Sequence, residues 1–248
     1  MRTELIKRWL VRDKYQGKEN PASLLRDFAR LSRGEPLEYV IGWKEFCGVH
    51  VDLSLHPLIP REETEEWVRQ LLPLIRRKRH PHVLDLCSGS GAIGLAALAQ
   101  CPRAQVTLSD ISPKAIRQIK KNIALYPSFA SRSTLLQSNL FSNITGTFDF
   151  ILSNPPYVPH ARIARLPRGV CAFEPHRALD GGVDGLRIIK KIIVDGLPYL
   201  APTGSLVIEV DTTHATRAAE HAQGYFKEVT IQNDQYGRLR TLLLQNKH

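Results

Sequence analysis

The sequence predicts an α/β fold in which helices cover both faces of a doubly wound, mostly parallel sheet. From His82 onward, short apolar runs alternate with segments of helical periodicity, as is typical of such sheets. A glycine-rich turn at residues 89–94 follows the first apolar run and precedes a helix. A later apolar run ends in the loop Asn154-Pro155-Pro156-Tyr157. Because the carboxyl ends of parallel strands share one sheet edge, we expect both loops to border one crevice.

The chain before His82 is expected to form a small helical part followed by a β-hairpin linker. Two amphipathic helices are predicted, one from about Thr3 to Tyr15 and one after Asn20-Pro21. Alternation on both sides of Gly48 predicts a short hairpin, and Thr64 is expected to cap the next helix. The predicted division is a helical region at 1–34, a hairpin, linker and helix at 35–80, and the α/β domain at 81–248.

The α/β part contains the following expected strands and helices. The strands are Val83–Leu86, Val106–Leu108, Leu135–Leu136, Phe148–Leu152, Ser205–Val210 and Arg240–Leu244. The helices lie near 92–100, 113–125, 185–200 and 213–222.

Composition and charge limit the possible classes of protein. Hydrophobic content of 43% with 23% charged residues is typical of a globular chain. No apolar run approaches the roughly 20 residues of a membrane span, and the charged N-terminus lacks a signal-peptide core, so we expect a soluble, cytoplasmic protein, and a monomer. The net charge of +10 favours RNA, ribosomal or acidic protein surroundings, although the basic run at 76–80 equally suits a solvated helix end.

The four cysteines indicate neither a metal site nor a disulfide framework. They are scattered without C-x-x-C pairing. We therefore expect reduced, mostly buried thiols and no bound metal.

The charge beside the glycine turn distinguishes the ligands that the turn could bind. G-x-G-x-x-G alone also fits NAD or FAD. Asp85, just before the glycines, would repel the pyrophosphate of a dinucleotide, whereas it favours the ammonium and sulfonium of S-adenosylmethionine. The glycines allow close approach of the backbone. The residues expected to bind this cofactor are Asp85, Cys87, Ser88, Gly89, Ser90 and Gly91.

The ends of the next two strands are expected to complete the cofactor site. Asp110 lies 25 residues after Asp85 and is placed to accept hydrogen bonds from both ribose hydroxyls, although it also suits a helix start. Asn139, followed by Leu140, falls where an adenine edge would lie. An ordinary turn asparagine explains Asn139 nearly as well.

The loop Asn154-Pro155-Pro156-Tyr157 suits a planar NH2 group. Proline has no N–H, so the loop offers carbonyl acceptors and few donors. Asn154 adds a side-chain carbonyl, and Tyr157 adds a flat face. An ordinary turn after a strand is the alternative explanation. These residues indicate an NH2 substrate without distinguishing a glutamine amide from an adenine amino group.

Taken together, these motifs resemble the class I S-adenosylmethionine-dependent methyltransferases and, more narrowly, the HemK/PrmC family of release factor glutamine methyltransferases. The resemblance covers roughly residues 35–245 and includes the segments Glu35–Gly42, Leu58–Glu65 and Phe173–Leu186. It implies a Rossmann-like fold with a seven-stranded sheet. It also implies methylation of the side-chain amide nitrogen of the glutamine in the Gly-Gly-Gln motif of a peptide chain release factor.

The resemblance assigns a role to each matching residue. Substrate-binding residues would be Asn154, Pro155, Pro156 and Tyr157, of which Asn154, Pro155 and Tyr157 form the catalytic set. Cofactor-binding residues would be Cys87 through Gly91 at the methionine part, Asp110 at the ribose, Asn139 and Leu140 at the adenine, and Asn154 beside the methyl group.

The chain departs from the family pattern in several places, and two rival substrates stay open. Only about 34 residues precede Glu35, where the family has a larger helical domain. Asn139 and Leu140 replace a common Asp and a frequent Trp, and Asp211 and His214 depart from the run "EIGxxQ". The rivals are a glutamine methyltransferase acting on a ribosomal protein and an adenine-N6 methyltransferase acting on a flipped base of a nucleic acid. A basic ribosome-binding module without activity is the non-enzymatic alternative.

Overall fold

The computed structural model describes residues 2–248. The α-helices are α1 (Arg2–Trp9), α2 (Pro21–Ser32), α3 (Leu37–Ile41), α4 (Glu62–Arg77), α5 (Ala92–Gln100), α6 (Pro113–Ala124), α7 (His160–Ile163), α8 (Arg168–Phe173), α9 (Arg187–Asp195) and α10 (Ala215–Ala222). The strands are β1 (Trp43–Phe46), β2 (Val49–Asp52), β3 (His82–Leu86), β4 (Gln105–Asp110), β5 (Ser133–Gln137), β6 (Phe148–Ser153), β7 (Leu200–Glu209), β8 (Phe226–Asn233) and β9 (Leu239–Lys247).

A seven-stranded sheet in the order β5-β4-β3-β6-β7-β9-β8 forms the centre of the molecule. Strands β3 to β7 run parallel, and β9 is antiparallel to both of its neighbours. The prediction of a doubly wound, mostly parallel sheet is therefore confirmed. The chain winds outward from β3 to β5 and then returns to place β6 on the other side of β3. This reversal opens a crevice at the carboxyl end of β3, where such folds bind ligands.

Helices cover both faces of the sheet because the central strands are apolar on both sides. Val83 of β3 packs into a cluster with α4, α5 and α6, whereas its neighbour Leu84 packs into a second cluster with α9 and α10. Helix α6 begins at a local signal, since Ser112 accepts a hydrogen bond from the Ala115 N–H at 3.3 Å and Pro113 occupies the first turn.

Helix α5 is apolar on all sides because it lies between the sheet and α4. A Cβ built on Gly94, its third residue, would lie 2.5 Å from Cδ2 of Leu108 on β4. The absence of a side chain at Gly94 thus permits α5 to approach the sheet closely, and the glycine turn between β3 and α5 requires this close approach.

The β1–β2 hairpin and α4 share a hydrophobic cluster with α5 and β3, whereas Leu10, Leu24 and Val40 form a separate small cluster near the N-terminus. The division into 1–34, 35–80 and 81–248 stays a prediction. The shared cluster indicates that 35–80 and the α/β part fold together.

Several details of the sequence prediction were wrong. The first expected helix is present, although only Arg2–Trp9 is α-helical and Leu10–Lys14 extend it as a π-helix. The helix expected near 185–200 ends at Asp195, and β7 already begins at Leu200. Strand β8 and the short helix α3 were not predicted. Thr64 does not cap α4, because the helix begins at Glu62 and the Thr64 hydroxyl donates to Glu209 instead.

Candidate functional site

A cavity of about 590 Å³ opens at the carboxyl edge of the sheet, where β3, β4 and β6 end. Nine of the residues predicted from the sequence line it: Cys87, Ser88, Gly89, Ser90, Asp110, Asn139, Leu140, Asn154 and Pro156. Asp85, Gly91, Pro155 and Tyr157 are not among the lining residues, although Pro155 and Tyr157 are adjacent in the chain to Pro156, which is. The expected meeting of the glycine turn with the proline-rich loop therefore takes place in one cavity.

The glycine turn between β3 and α5 has a left-handed backbone at three positions. The φ angles are +62° at Cys87, +56° at Gly89 and +84° at Gly91. The turn is tied to the neighbouring strand, since the Ser88 N–H donates to the Ser109 carbonyl at 3.0 Å. Burial raises the pKa of the Cys87 thiol to about 12, so this side chain is a neutral part of the wall.

Asp85 acts from behind the turn. Its Oδ2 accepts a hydrogen bond from the Gly94 N–H at 2.9 Å, and within the part of the chain that the structure describes its buried Oδ1 has no partner. Burial, assisted by the nearby Asp110 charge and opposed by the Gly94 N–H, raises the pKa of this carboxyl to about 7. Asp85 is fully buried and does not line the cavity, so its role in binding the cofactor stays a prediction.

Asp110 ends β4 and faces the cavity. Its Oδ2 accepts from the Gly89 N–H at 2.9 Å and its Oδ1 from the Ser112 N–H at 2.8 Å. Burial raises the pKa of the carboxyl, whereas these backbone donors and Arg177 oppose the rise. The carboxylate therefore joins the glycine turn to the start of α6, as the helix-start explanation expects, whereas its contact with a ribose stays a prediction.

The loop after β5 supplies the next part of the wall. Asn139 is exposed and lies in the cavity lining beside Leu140, whose backbone is left-handed with φ +50°. The Ser138 hydroxyl donates to the Leu140 carbonyl at 2.8 Å, which holds this conformation.

The proline-rich loop is joined to β3, α4 and β7 by three buried or partly buried hydrogen bonds. The Ser153 hydroxyl donates to the Leu86 carbonyl at 2.7 Å, which fixes the loop beside the glycine turn. Asn154 donates from Nδ2 to Thr64 Oγ1 at 3.0 Å. The Tyr157 hydroxyl donates to Glu209 Oε1 at 3.0 Å.

Glu209 is the centre of a buried network that the sequence interpretation missed. Its Oε2 accepts from the Thr64 hydroxyl at 2.6 Å and from Trp67 Nε1–H at 2.9 Å. Only 1% of Glu209 is exposed, and burial raises its pKa. The sequence did contain a signal for this network, namely an acidic residue at the end of the apolar run of β7. An acidic side chain in such a buried position needs hydrogen-bond donors around it.

The backbone of Tyr157 is contacted from the other side by His214, one of the residues that depart from the family pattern. His214 Nε2 lies 3.0 Å from the Tyr157 carbonyl, whose oxygen can only accept. A Cβ on Gly185 would lie 2.3 Å from the same oxygen, which requires glycine at this position. Asp211 forms an ion pair with Arg162 at 3.1 Å and lies outside the cavity lining.

Two further parts of the wall come from segments that the sequence singled out, and they are Leu58 with Pro60, and Phe173 with Pro175, Arg177 and Ala178. Arg61 Nη2 donates to Glu174 Oε1 at 2.5 Å, and the Ile59 N–H donates to Glu174 Oε2 at 3.1 Å. Burial raises the pKa of Glu174 and Arg61 opposes the rise. This ion pair joins the two segments across the cavity.

Among residues 2–248, no group of three or more His, Cys, Asp or Glu side chains is placed to hold a metal ion. In the same part of the chain, no helix has both the length and the apolar character that crossing a membrane requires.

Comparisons with known proteins agree with this geometry. Residues 63–166 match the family described as "Methyltransferase small domain". A protein of Rhodopirellula baltica named "Release factor glutamine methyltransferase" is 34% identical over 241 residues, which cover 94% of this chain and 81% of that protein. A protein of Geobacter sulfurreducens with the same name is 40% identical over 186 residues, which cover 73% of this chain and 63% of that protein.

A solved structure shares the fold at lower sequence identity. The ribosomal protein L11 methylase from Lactobacillus delbrueckii subsp. bulgaricus has a TM-score of 0.56 and 18% identity, covering 80% of this chain and 84% of that chain. At this identity the likeness concerns the fold alone.

Proposed function

Because this chain belongs to the family of release factor glutamine methyltransferases, we propose that it methylates the side-chain amide nitrogen of a glutamine in a peptide chain release factor. The methyl donor is S-adenosylmethionine, and the glutamine is that of the Gly-Gly-Gln motif. The observation that carries the proposal is the position of Asn154, which lines the same cavity as the glycine turn. Its Nδ2 is bound to Thr64, so its oxygen is available for a substrate NH2 group.

The residues present fit S-adenosylmethionine. When bound, this cofactor supplies a methyl group that its sulfonium already activates. A cavity of about 590 Å³ is in the size range of cofactor sites. The unpartnered Asp85 oxygen behind the turn and the Asp110 carboxylate in the wall favour a cationic ligand and disfavour a pyrophosphate. Cys87 through Gly91 would hold the methionine part, Asp110 the ribose, and Asn139 with Leu140 the adenine.

The substrate amide would be held by two acceptors. The Asn154 oxygen and the Pro155 carbonyl would each accept one N–H of the glutamine NH2 group. An amide nitrogen is a weak nucleophile, so holding it in line with the methyl group supplies much of the acceleration. The same acceptors stabilise the positive charge that grows on this nitrogen in the transition state.

The groups next to the loop are unsuited to act as a general base. Burial and the Glu209 charge raise the pKa of the Tyr157 phenol well above its usual value, so Tyr157 stays neutral. Glu209 itself accepts from Thr64, Trp67 and Tyr157. The substrate proton therefore leaves to water after methyl transfer, and Tyr157 packs beside the site.

Incubation with labelled S-adenosylmethionine tests the proposal. A release factor, a ribosomal protein fraction and nucleic acid are supplied as separate substrates. We expect label on the release factor, and none when the glutamine of its Gly-Gly-Gln motif is replaced by alanine. Label on the ribosomal protein or on nucleic acid alone would overturn the proposal in favour of the corresponding rival, neither of which the names of the relatives favour.

We further propose that the protein acts as a cytoplasmic monomer whose basic surface keeps it near the ribosome or RNA. The net charge of +10 supports the second part. Light scattering of the purified protein would give the mass of one chain, and a mass of two chains would contradict this assignment.

A further inference from the structure

We propose that Thr64 and Glu209 are positioning residues that fix the Asn154 side-chain amide with its oxygen towards the cavity. The three residues lie on α4, at the end of β7 and after β6, so the contact joins three separate elements. The effect of this network on catalysis rests on the proposed function, whereas the orientation of the Asn154 amide does not.

The direction of the hydrogen bonds follows from Trp67. An indole N–H can only donate, so Glu209 Oε2, 2.9 Å away, is an acceptor. Thr64 Oγ1 lies 2.6 Å from the same oxygen and must give it its single hydrogen. This direction follows for an ionised Glu209, whose two carboxylate oxygens carry no hydrogen and can only accept.

Thr64 can consequently only accept from Asn154. Its oxygen lies 3.0 Å from the Asn154 amide, so the atom that faces it must be the NH2 nitrogen. The amide oxygen then lies on the opposite side, and within residues 2–248 it accepts no hydrogen bond. If the amide were flipped, Asn154 Oδ1 would face Thr64 Oγ1 with no hydrogen between the two oxygens. The flip would therefore cost as much free energy as leaving a buried polar group without a hydrogen bond.

This orientation matters because the substrate NH2 group acts only as a hydrogen-bond donor. A flipped Asn154 would present its own NH2 to the NH2 of the substrate, so donors would face donors. The network thus selects the acceptor orientation before the substrate arrives, which is the kind of preorganisation that lowers a barrier.

The variant Thr64→Val tests the proposal, because valine has the shape of threonine without a donor or acceptor. We expect kcat to fall about tenfold, the effect of leaving one buried group unsatisfied, while the KM for release factor and the affinity for S-adenosylmethionine stay within about twofold. Thr64→Ser keeps the hydroxyl and should restore kcat. In an Asn154→Ala background Thr64→Val should cause no further loss, because Thr64 acts through Asn154. An equal loss in both backgrounds, or none in the wild-type background, would overturn the proposal.

The variant Glu209→Gln separates orientation from charge. A glutamine can keep its oxygen towards Trp67 and Thr64 and its NH2 towards the Tyr157 oxygen, so we expect most of kcat to remain. A loss of kcat as large as that of Asn154→Ala would show that Glu209 acts by its charge and would overturn the positioning role.

An NMR measurement needs no activity. The Asn154 side-chain NH2 resonances, assigned by their loss in Asn154→Asp, should shift and exchange faster with water in Thr64→Val and should stay close to wild type in Thr64→Ser. Unchanged resonances in Thr64→Val would contradict the proposal. A wild-type protein that methylates no release factor would overturn the proposed function and leave this result standing.

Discussion

Replacing Gly94 by alanine tests whether the shape of the cavity depends on the close approach of α5 to β4. The new Cβ would lie 2.5 Å from Cδ2 of Leu108 and 3.1 Å from Asp85 Oδ2. Leu108 is fully buried, so its side chain has no free space into which it can move. The Gly94 N–H also donates to Asp85, and a shift of α5 would lengthen this bond.

The expected loss follows from two opposing effects. Overpacking a core costs about 1–3 kcal/mol, whereas alanine in a helix is about 1 kcal/mol better than glycine. Because the 2.5 Å contact is with a fully buried side chain, overpacking should cost about 2–3 kcal/mol, and we expect the free energy of unfolding to fall by about 1–2 kcal/mol and the melting temperature by about 2–8 °C. Because the turn moves with α5, binding of S-adenosylhomocysteine should weaken as well.

Urea denaturation and calorimetric titration measure the two effects. Gly224→Ala is the matched control, since its nearest neighbour would lie 3.7 Å from the new Cβ. We expect the control to stay within about 0.5 kcal/mol of wild type. A Gly94→Ala protein as stable as wild type, with unchanged ligand affinity, would refute the close-approach argument.

Three further predictions concern the acceptor, the carboxylate behind the turn and the ion pair across the cavity. Asn154→Ala should lower kcat by about 10²–10³ with unchanged cofactor affinity in steady-state assays, and full turnover would contradict its role. Burial raises the pKa of Asp85 from 3.8 to about 7, so the folded state holds a proton that the unfolded state loses between these values. The Asp85 contribution to the free energy of unfolding therefore falls as pH rises from about 4 to about 7. Urea denaturation across this range should show the fall in wild type relative to Asp85→Asn, and a constant difference between the two would contradict it. Arg61→Met leaves the buried Glu174 without its cation and should destabilise the protein by about 2 kcal/mol, because Arg61 is itself partly exposed. The control Arg69→Met, in an exposed pair, should cost under about 0.5 kcal/mol, and equal losses would refute the distinction.

Much of the fold could be predicted because its signals are local. Three features can each be identified from a segment of about ten residues: the apolar run of β3, the glycine turn and the proline-rich loop. Because the carboxyl ends of parallel strands lie at one edge of the sheet, the two loops are expected there together. Strand β8 gave no such signal, since it is an edge strand with mostly polar side chains and only Phe226 fully buried.

The part of the site that escaped prediction depends on contacts between distant residues. Thr64 and Glu209 are 145 positions apart, and Thr64 and Asn154 are 90 positions apart. A threonine near a helix start is normally interpreted as a cap, and local reasoning gave that interpretation to Thr64. Only the packing of α4 against the end of β7 shows that its hydroxyl serves a buried carboxylate instead. The full burial of Asp85, like the contacts of Thr64, depends on packing that its sequence neighbours do not show.

The most direct test of the central claim is the position of the methyl group. A release factor incubated with this protein and S-adenosylmethionine is digested, and its peptides are sequenced by tandem mass spectrometry. We expect one methyl group on the side-chain nitrogen of the Gly-Gly-Gln glutamine, and only a small fraction of this modification after the same time with Asn154→Ala. A methyl group on another residue, or an unmodified glutamine with active, cofactor-binding protein, would contradict the account.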